Sequence, residues 1–146
     1  MIKENFIVFK YSRYAQHIPL IERTALEAGE YSHCKPWNGG TFTDSMRRFG
    51  SVIRLPDLCI FFHTQEKLNE PHGAINEAAK MFIPTVAFCD TDVDPSLVTY
   101  PVPGNDDSMA SVQLYANLVK QAILIGKNKR KEIDEQGAII DYEYKQ

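Results

Sequence analysis

The chain has few of the residues and motifs on which several common protein classes depend. Its three cysteines, Cys34, Cys59 and Cys89, are an odd number without a Cys-x-x-Cys pair, which argues against a disulfide framework and a zinc knuckle. The sequence contains neither Gly-x-Gly-x-x-Gly nor Gly-x-x-x-x-Gly-Lys-Ser/Thr, and residues 10–13 are not glycines, although they follow the first apolar run. These absences argue against an enzyme that uses a dinucleotide or a nucleotide.

Long apolar runs are also missing. No run approaches the roughly 20 residues that a membrane-spanning helix needs, and residues 1–5 contain no signal-peptide core. We therefore expect no membrane partner. The 146 residues, of which 44% are hydrophobic and 24% charged, suffice for one globular domain. We predict a single α/β domain at 1–126 and a C-terminal tail at 127–146, which is basic at first and then of mixed charge.

The net charge of −3 conceals an asymmetry between the two parts of the chain. Residues 1–54 carry eight Lys/Arg and five Asp/Glu, whereas residues 55–146 carry eight Lys/Arg and fourteen Asp/Glu. Any nucleic-acid surface must therefore be local, because the chain as a whole would repel phosphates.

Hydrophobic patterning predicts alternating strands and helices. The predicted elements are, in chain order, strand 6–9, helix 13–28, strand 31–34, strand 57–62, helix 71–81 with proline in its first turn, strand 84–88 and helix 107–126. The three elements within 57–88 form a βαβ unit, whose crossover makes its strands parallel. Pro19 either lies in the first turn of its helix or kinks it, and Gly29 is placed as the C-cap. This order is typical of an α/β fold with a Rossmann-like, mostly parallel sheet.

Capping and periodicity add detail to two further helices. Thr43 or Asp44 can cap a short helix that carries Arg47 and Arg48 and follows the Gly39-Gly40 turn. The last helix is predicted to pack through an apolar stripe that consists of Val112, Tyr115, Leu118, Val119, Ala122 and Ile123.

An acidic, proline-rich loop follows strand 84–88 and has two interpretations. Its carboxylates are Asp90, Asp92, Asp94, Asp106 and Asp107. As an enzyme, the chain would be a small α/β protein that uses this loop, with His63 or His72, to bind a metal or a nucleotide or for acid-base chemistry. The favoured alternative is turn chemistry, in which Asp94-Pro95 starts a turn and 105–108 caps the last helix. No His or Lys within the loop could complete a catalytic pair, so we expect no catalytic residue, metal or cofactor.

Basic residues form three clusters. The sequence supports two interpretations of these clusters about equally. They bind a phosphate backbone, with some aromatic stacking, or they are ordinary solvated surface charge. The Gly39-Gly40 turn could also cradle a phosphate on the amides of the following helix, but a lone Gly-Gly pair is weak support. The clusters are Lys10 with Arg13, then Lys35 with Arg47 and Arg48 near Trp37, and finally Lys127, Lys129, Arg130 and Lys131.

Three stretches carry a family resemblance. They are 37–43 (Trp-Asn-Gly-Gly-Thr-Phe-Thr), 55–58 (Leu-Pro-Asp-Leu) with the strand that follows, and 83–108, which ends in Tyr-Pro-Val-Pro-Gly-Asn-Asp-Asp-Ser. In this order they resemble the universal small-subunit ribosomal protein 2 family over most of residues 6–125. The third stretch is the most specific.

Further features resemble the animal mitochondrial branch of that family. They include Gly-Glu-Tyr at 29–31, Glu-Pro-His at 70–72 and Ala-Ala-Lys-Met at 78–81. The short segment 48–55 also leaves no room for the helical-hairpin insertion of bacterial relatives.

The resemblance implies a Rossmann-like (flavodoxin-like) three-layer sandwich without that hairpin. It further implies a structural constituent of the small ribosomal subunit in the mitochondrial matrix, which binds small-subunit rRNA and neighbouring ribosomal proteins without catalysis or a small-molecule substrate. Its implied rRNA-binding residues are Lys10, Arg13, Lys35, Trp37, Arg47, Arg48, Lys127, Lys129, Arg130 and Lys131.

Overall fold

A computed structural model describes residues 7–10, 15–50, 54–67 and 70–143 of the chain. A 3₁₀ turn at Ala15–His17 precedes the first helix, and a second one lies at Pro95–Leu97. The strands are β1 (Ile7–Lys10), β2 (Tyr31–His33), β3 (Leu58–Phe61), β4 (Gln65–Lys67), β5 (Glu70–Pro71), β6 (Thr85–Cys89) and β7 (Tyr100–Pro103). The helices are α1 (Ile18–Ala28), α2 (Ser45–Phe49), α3 (Gly73–Lys80) and α4 (Met109–Glu143).

Five strands form one sheet in the order β2-β1-β3-β6-β7, and every neighbouring pair is parallel. Without the separate β4-β5 ribbon, this is the 2-1-3-4-5 order of flavodoxin-like folds. Val8 lies opposite Tyr31 of β2 on one side and Cys59 of β3 on the other, so β1 lies between these two strands. The predicted Rossmann-like fold is confirmed.

The two faces of the sheet bury separate cores because successive strand residues point to opposite sides. Ile60 and Phe62 pack on the side of α1 and α4, with Ile21, Ala25, Phe88, Val112 and Ala116. Cys59 and Phe61 pack on the side of α3, with Phe42, Ala74, Ile75, Ala78, Ile83, Ala87 and Val98. Helices thus cover both faces, as expected for a three-layer sandwich.

Helix α1 resolves the alternatives for Pro19. The helix begins at Ile18, so Pro19 lies in its first turn, where a missing N–H costs no hydrogen bond. At its other end Gly29 has a φ of 68°, and the Glu30 N–H donates to the Ala25 carbonyl over 2.8 Å. Gly29 is therefore the predicted C-cap, in the left-handed conformation that favours glycine.

The helix predicted at 71–81 was wrong at its start. Pro71 belongs to β5 and lies opposite Gln65 in the β4-β5 ribbon, and the His72 N–H donates to the Thr64 carbonyl over 2.8 Å. Helix α3 begins only at Gly73, with His72 as its N-cap. The pairing of the chain with β4 overrides the preference of proline for a first helical turn.

The last helix also differs from its prediction. It starts at Met109 and continues through Gly126 and Gly137 to Glu143, because each glycine costs only about 1 kcal/mol in a helix. The stripe prediction was wrong for Leu118, which is 54% exposed, and for Ala122, which is also exposed, and it omitted the fully buried Ala116. Within the described ranges, no helix is long and apolar enough to cross a membrane.

Candidate nucleic-acid interface

The acidic loop follows β6 and β7 at the carboxyl edge of the sheet, and much of it is turn chemistry. The Asp94 carboxylate accepts from the Ser96 N–H over 2.9 Å at the start of the second 3₁₀ turn. The Asn105 side-chain oxygen accepts from the N–H groups of Asp107 and Ser108, over 2.9 and 3.1 Å, just before α4. The predicted turn at Asp94 is confirmed, and Asn105 forms a turn directly before α4.

Asp106 has a different role, because it is only 3% exposed and accepts a hydrogen bond from Nδ1 of His63. The loop itself contains no histidine, but the residues that follow β3 supply one at the same edge. Oxygens of Asp90, Asp106 and Asp107 also lie within 4.8 Å of one another, a donor set that hard cations favour. The carboxyl edge is therefore strongly acidic beyond β6 and β7, and a phosphate would be repelled from that part of it.

His17 is the second buried histidine at this edge. It is fully buried, and burial lowers the pKa of His17, with a further lowering contribution from His63. The negative charges of Asp106 and Asp107 oppose that shift without overcoming it. An imidazole held neutral in this way adds no positive charge that could attract RNA.

His72 serves the backbone. Its Nδ1 accepts from the Ala74 N–H over 3.0 Å at the start of α3, and its ring lies 6.2 Å from that of Trp37. His72 is thus a helix cap whose partner is a backbone N–H of α3. His63 differs, because its partner is a side chain.

Glu77 organises the turn at 37–43. This carboxylate projects from α3, is 7% exposed, and accepts four hydrogen bonds from one short piece of chain. Its Oε1 accepts from Trp37 Nε1 over 3.0 Å and from the Gly40 N–H over 2.6 Å. Its Oε2 accepts from the N–H groups of Phe42 and Thr43 over 2.8 and 3.4 Å. The amides of Gly40, Phe42 and Thr43 are thus filled by an internal carboxylate and are not open to a phosphate, while the phosphate cradle considered on the amides of the following helix stays a prediction.

The charge of Glu77 is retained inside the protein. Burial raises the pKa of the Glu77 carboxyl, but the donors of Phe42, Trp37, Gly40 and Thr43 outweigh it and hold the pKa below its usual range. The Trp37 ring packs edge-on against Phe42 with centroids 4.8 Å apart. The only hydrogen-bond donor of the Trp37 side chain is thus bonded to Glu77, and any contact with RNA would use the exposed part of its ring.

Two of the predicted basic clusters lie on the segments around this turn. Lys10 ends β1 and Lys35 follows β2, so their backbones meet at the carboxyl edge, where Lys10 lies opposite His33. Arg47 and Arg48 are exposed on α2. Arg13 lies outside the described residues.

The C-terminal cluster divides into two parts. The Lys127 ammonium donates to the carbonyls of Ala28 and Gly29 over 2.7 and 3.3 Å and pairs with Glu30 at 2.5 Å, so it caps α1. Lys129, Arg130 and Lys131 are exposed on the continuing helix. Because α1 runs back from the carboxyl edge of the sheet, its C-terminus puts this cluster near the opposite edge, away from Lys10 and Lys35.

Glu77 is the residue of this surface that sequence reasoning missed. Its signal was present but weak, since Glu77 lies three and one residues from Ala74 and Ala78 on the buried side of α3. A carboxylate within an apolar stripe must find donors, because burying an unpaired charge is costly. The sequence could not identify those donors, which lie 34 to 40 residues away.

Comparisons with known proteins agree with one another. The family model for ribosomal protein S2 matches residues 44–126. The chain is 47% identical over 128 residues to small ribosomal subunit protein uS2m of Bos taurus, covering 88% of this chain and 44% of that protein. It is 45% identical over 78 residues to small ribosomal subunit protein uS2 of Rickettsia prowazekii, covering 53% of this chain and 25% of the relative. The chain thus spans less than half the length of these curated relatives.

Proposed function

The chain belongs to the ribosomal protein S2 family, and on this basis we propose that it is a structural constituent of a mitochondrial small ribosomal subunit. The observation that carries the proposal is the similarity to bovine uS2m, which extends over 88% of the chain. The strand order supports it, because the chain has the parallel α/β fold that membership of this family predicted.

In this proposal the protein binds small-subunit rRNA electrostatically. Exposed Lys and Arg side chains neutralise phosphates, and the sheet with its packed helices fixes their positions. The candidate contacts are Lys35, Arg47 and Arg48 near the 37–43 turn, and Lys129, Arg130 and Lys131 on α4. Lys10 and Arg13 are kept as candidates from sequence alone, and Lys127 contributes by holding α4 to α1.

The acidic part of the carboxyl edge, beyond β6 and β7, then faces away from RNA, toward solvent or basic protein neighbours. Asp90, Asp106 and Asp107 bring negative charge together there, and like charge repels the phosphate backbone. The role we propose is non-enzymatic, in line with the structural role of the ribosomal relatives. Neighbouring small-subunit proteins are its other partners.

Sedimentation tests the proposal. A tagged copy is expressed in cells, mitochondrial lysate is resolved on a sucrose gradient, and fractions are probed for the tag and for small-subunit rRNA. We expect the tag to migrate with the small subunit and to leave those fractions after ribonuclease treatment. Migration only at the position of free protein would contradict the proposal.

A further inference from the structure

We propose that Glu77 is a positioning residue for rRNA binding, because its buried carboxylate fixes the 37–43 turn and thereby the location of Arg47 and Arg48. The inference rests on the proposed function, since it concerns how the same surface meets RNA. Glu77 itself would contact no nucleotide, because it is buried and all four of its hydrogen bonds are internal.

The first step is that Glu77 acts as a built-in anion. Backbone N–H groups that converge in a turn create a site for negative charge. Here the N–H groups of Gly40, Phe42 and Thr43 converge on the two oxygens of one carboxylate, together with the Trp37 indole. Removing the carboxylate would leave these donors unpaired in a partly buried site, and the turn would have to rearrange.

The second step is that the conformation of the turn determines the position of α2. The Gly40 carbonyl accepts from the Asp44 N–H over 2.9 Å, and the Asp44 carbonyl accepts from the Arg48 N–H over 3.1 Å. Gly40 has a φ of 85°, and Nε of Arg48 lies 3.4 Å from the point that a Cβ on Gly40 would occupy. The Arg48 side chain therefore lies directly against the turn that Glu77 holds.

The positioning role predicts a change in rRNA affinity that is opposite to the one expected from charge alone. A carboxylate in an RNA-binding protein repels phosphates, so its neutralisation should by itself strengthen binding. If Glu77 positions the arginines, neutralising it weakens binding instead. Exposed Glu22 on α1 provides a charge-matched control, because Glu22→Gln removes the same charge without touching the turn.

The experiment measures the affinity of the full chain for a small-subunit rRNA transcript across a salt series. The slope of log K against log salt is negative, because salt weakens binding. Arg47→Ala with Arg48→Ala should make this slope shallower by about 2, one for each phosphate that is no longer neutralised. Glu77→Gln should make the slope shallower, toward the same value, and Glu22→Gln should leave it unchanged. Adding Glu77→Gln to the double arginine variant should cause no further loss, because residues that act through one another are not additive.

The outcomes separate the two proposals. If the wild-type chain does not bind, or if the arginine variant binds as well as wild type, the proposed contacts fail and the positioning role fails with them. If the arginine variant is weakened but Glu77→Gln is not, the contacts stand and the positioning role is overturned. A loss from Glu77→Gln that adds fully to the arginine loss overturns it as well.

A second variant covers the case in which Glu77→Gln does not fold, as judged by circular dichroism. Gly40→Ala leaves Glu77 in place but strains the turn, because alanine disfavours the φ of 85° and its Cβ would meet Arg48. We expect Gly40→Ala to weaken rRNA binding, again without a further loss in the arginine background. Wild-type affinity of a folded Gly40→Ala protein would contradict the inference.

Discussion

The His63 imidazole donates from Nδ1 to the Asp106 carboxylate inside the protein, although 43 residues separate the two in sequence. Their side chains are 6% and 5% exposed. The pair joins the end of β3 to the loop before α4, and thus fastens the acidic loop to the sheet.

Asp106→Ala should destabilise the protein by roughly 2 kcal/mol, because it leaves the His63 donor buried without an acceptor. Asp106→Asn should cost less, since the amide oxygen can still accept. Urea unfolding of the full chain measures both changes. Exposed Asp92 in the same loop provides the control, and Asp92→Ala should change stability by less than about 0.5 kcal/mol. Equal stability of Asp106→Ala and wild type would show that the pair is not a structural tie.

Lys127 and Lys129 form a second contrast, between a capping lysine and a candidate RNA contact. Lys127→Met should destabilise the chain by about 2 kcal/mol, because the Glu30 carboxylate, 2% exposed, loses its cation. Most of the rRNA affinity should remain in folded protein. Lys129→Met should leave the unfolding transition unchanged but make the salt slope of rRNA binding shallower by about 1.

The two variants are matched in chemistry and lie one helical half-turn apart, so unfolding and binding should separate them. A loss of affinity without a loss of stability in Lys127→Met would reassign Lys127 to the RNA surface. A loss of stability in Lys129→Met would mean that α4 makes contacts beyond Lys127 that its exposure does not indicate.

How far the sequence predicted the structure depends on how local each feature is. Strands β3 and β6 were predicted because each is a contiguous apolar run, and Gly29 because a glycine after an amphipathic stretch marks a helix end. The end of α4 was missed for a local reason too, because a single glycine at 126 is not a strong stop. In each case the interactions that determine the feature involve residues only a few positions apart in the sequence.

The site depends on contacts between distant segments, which single-sequence patterns do not contain. The aspartates could be assigned to the carboxyl edge because they follow a strand, but the histidine that pairs with Asp106 is set by the neighbouring positions of β3 and β6. Likewise, the Gly39-Gly40 turn was recognised as an anion-binding shape, while the anion that fills it, Glu77, comes from α3. The sequence indicated which kinds of side chain and turn the site contains, but not which residues bond to one another there.

Phe82 is strained, and its replacement should stabilise the protein. Its φ of 54° lies in the left-handed region, which costs an L-residue roughly 1 kcal/mol, and its side chain is 93% exposed. Phe82→Asn should therefore raise the free energy of unfolding by about 0.5 to 1 kcal/mol, because asparagine tolerates this conformation. Leu26→Asn is the control, since Leu26 is 79% exposed on regular helix α1 and should lose about 0.5 kcal/mol of helix propensity.

The opposite result for Phe82→Asn, a clear loss of stability, would mean that the phenyl ring makes favourable contacts that its exposure conceals. A gain in both variants would point to a general benefit from removing exposed apolar surface, and not to backbone strain at Phe82.

The lowered pKa of Glu77 predicts a change at acidic pH that Trp37 can report. Because the folded-state pKa lies below that of an ordinary glutamate, the charged carboxylate stabilises the fold above the unfolded-state pKa, and this contribution is lost as the pH falls through the folded value. Trp37 is the only tryptophan of the chain and donates directly to Glu77. Its fluorescence should therefore change in a transition at a pH below that at which an ordinary glutamate titrates.

Glu77→Gln should abolish that transition, whereas Glu22→Gln should retain it. The stability of Glu77→Gln should be lower than that of wild type by roughly 2 kcal/mol at neutral pH, because an amide cannot accept all four hydrogen bonds. The difference should shrink as the pH falls, since protonated wild-type Glu77 then also has less acceptor capacity. An unchanged difference from pH 7 down to pH 3, in proteins that remain folded, would mean that hydrogen-bond geometry and not the charge of Glu77 holds the turn.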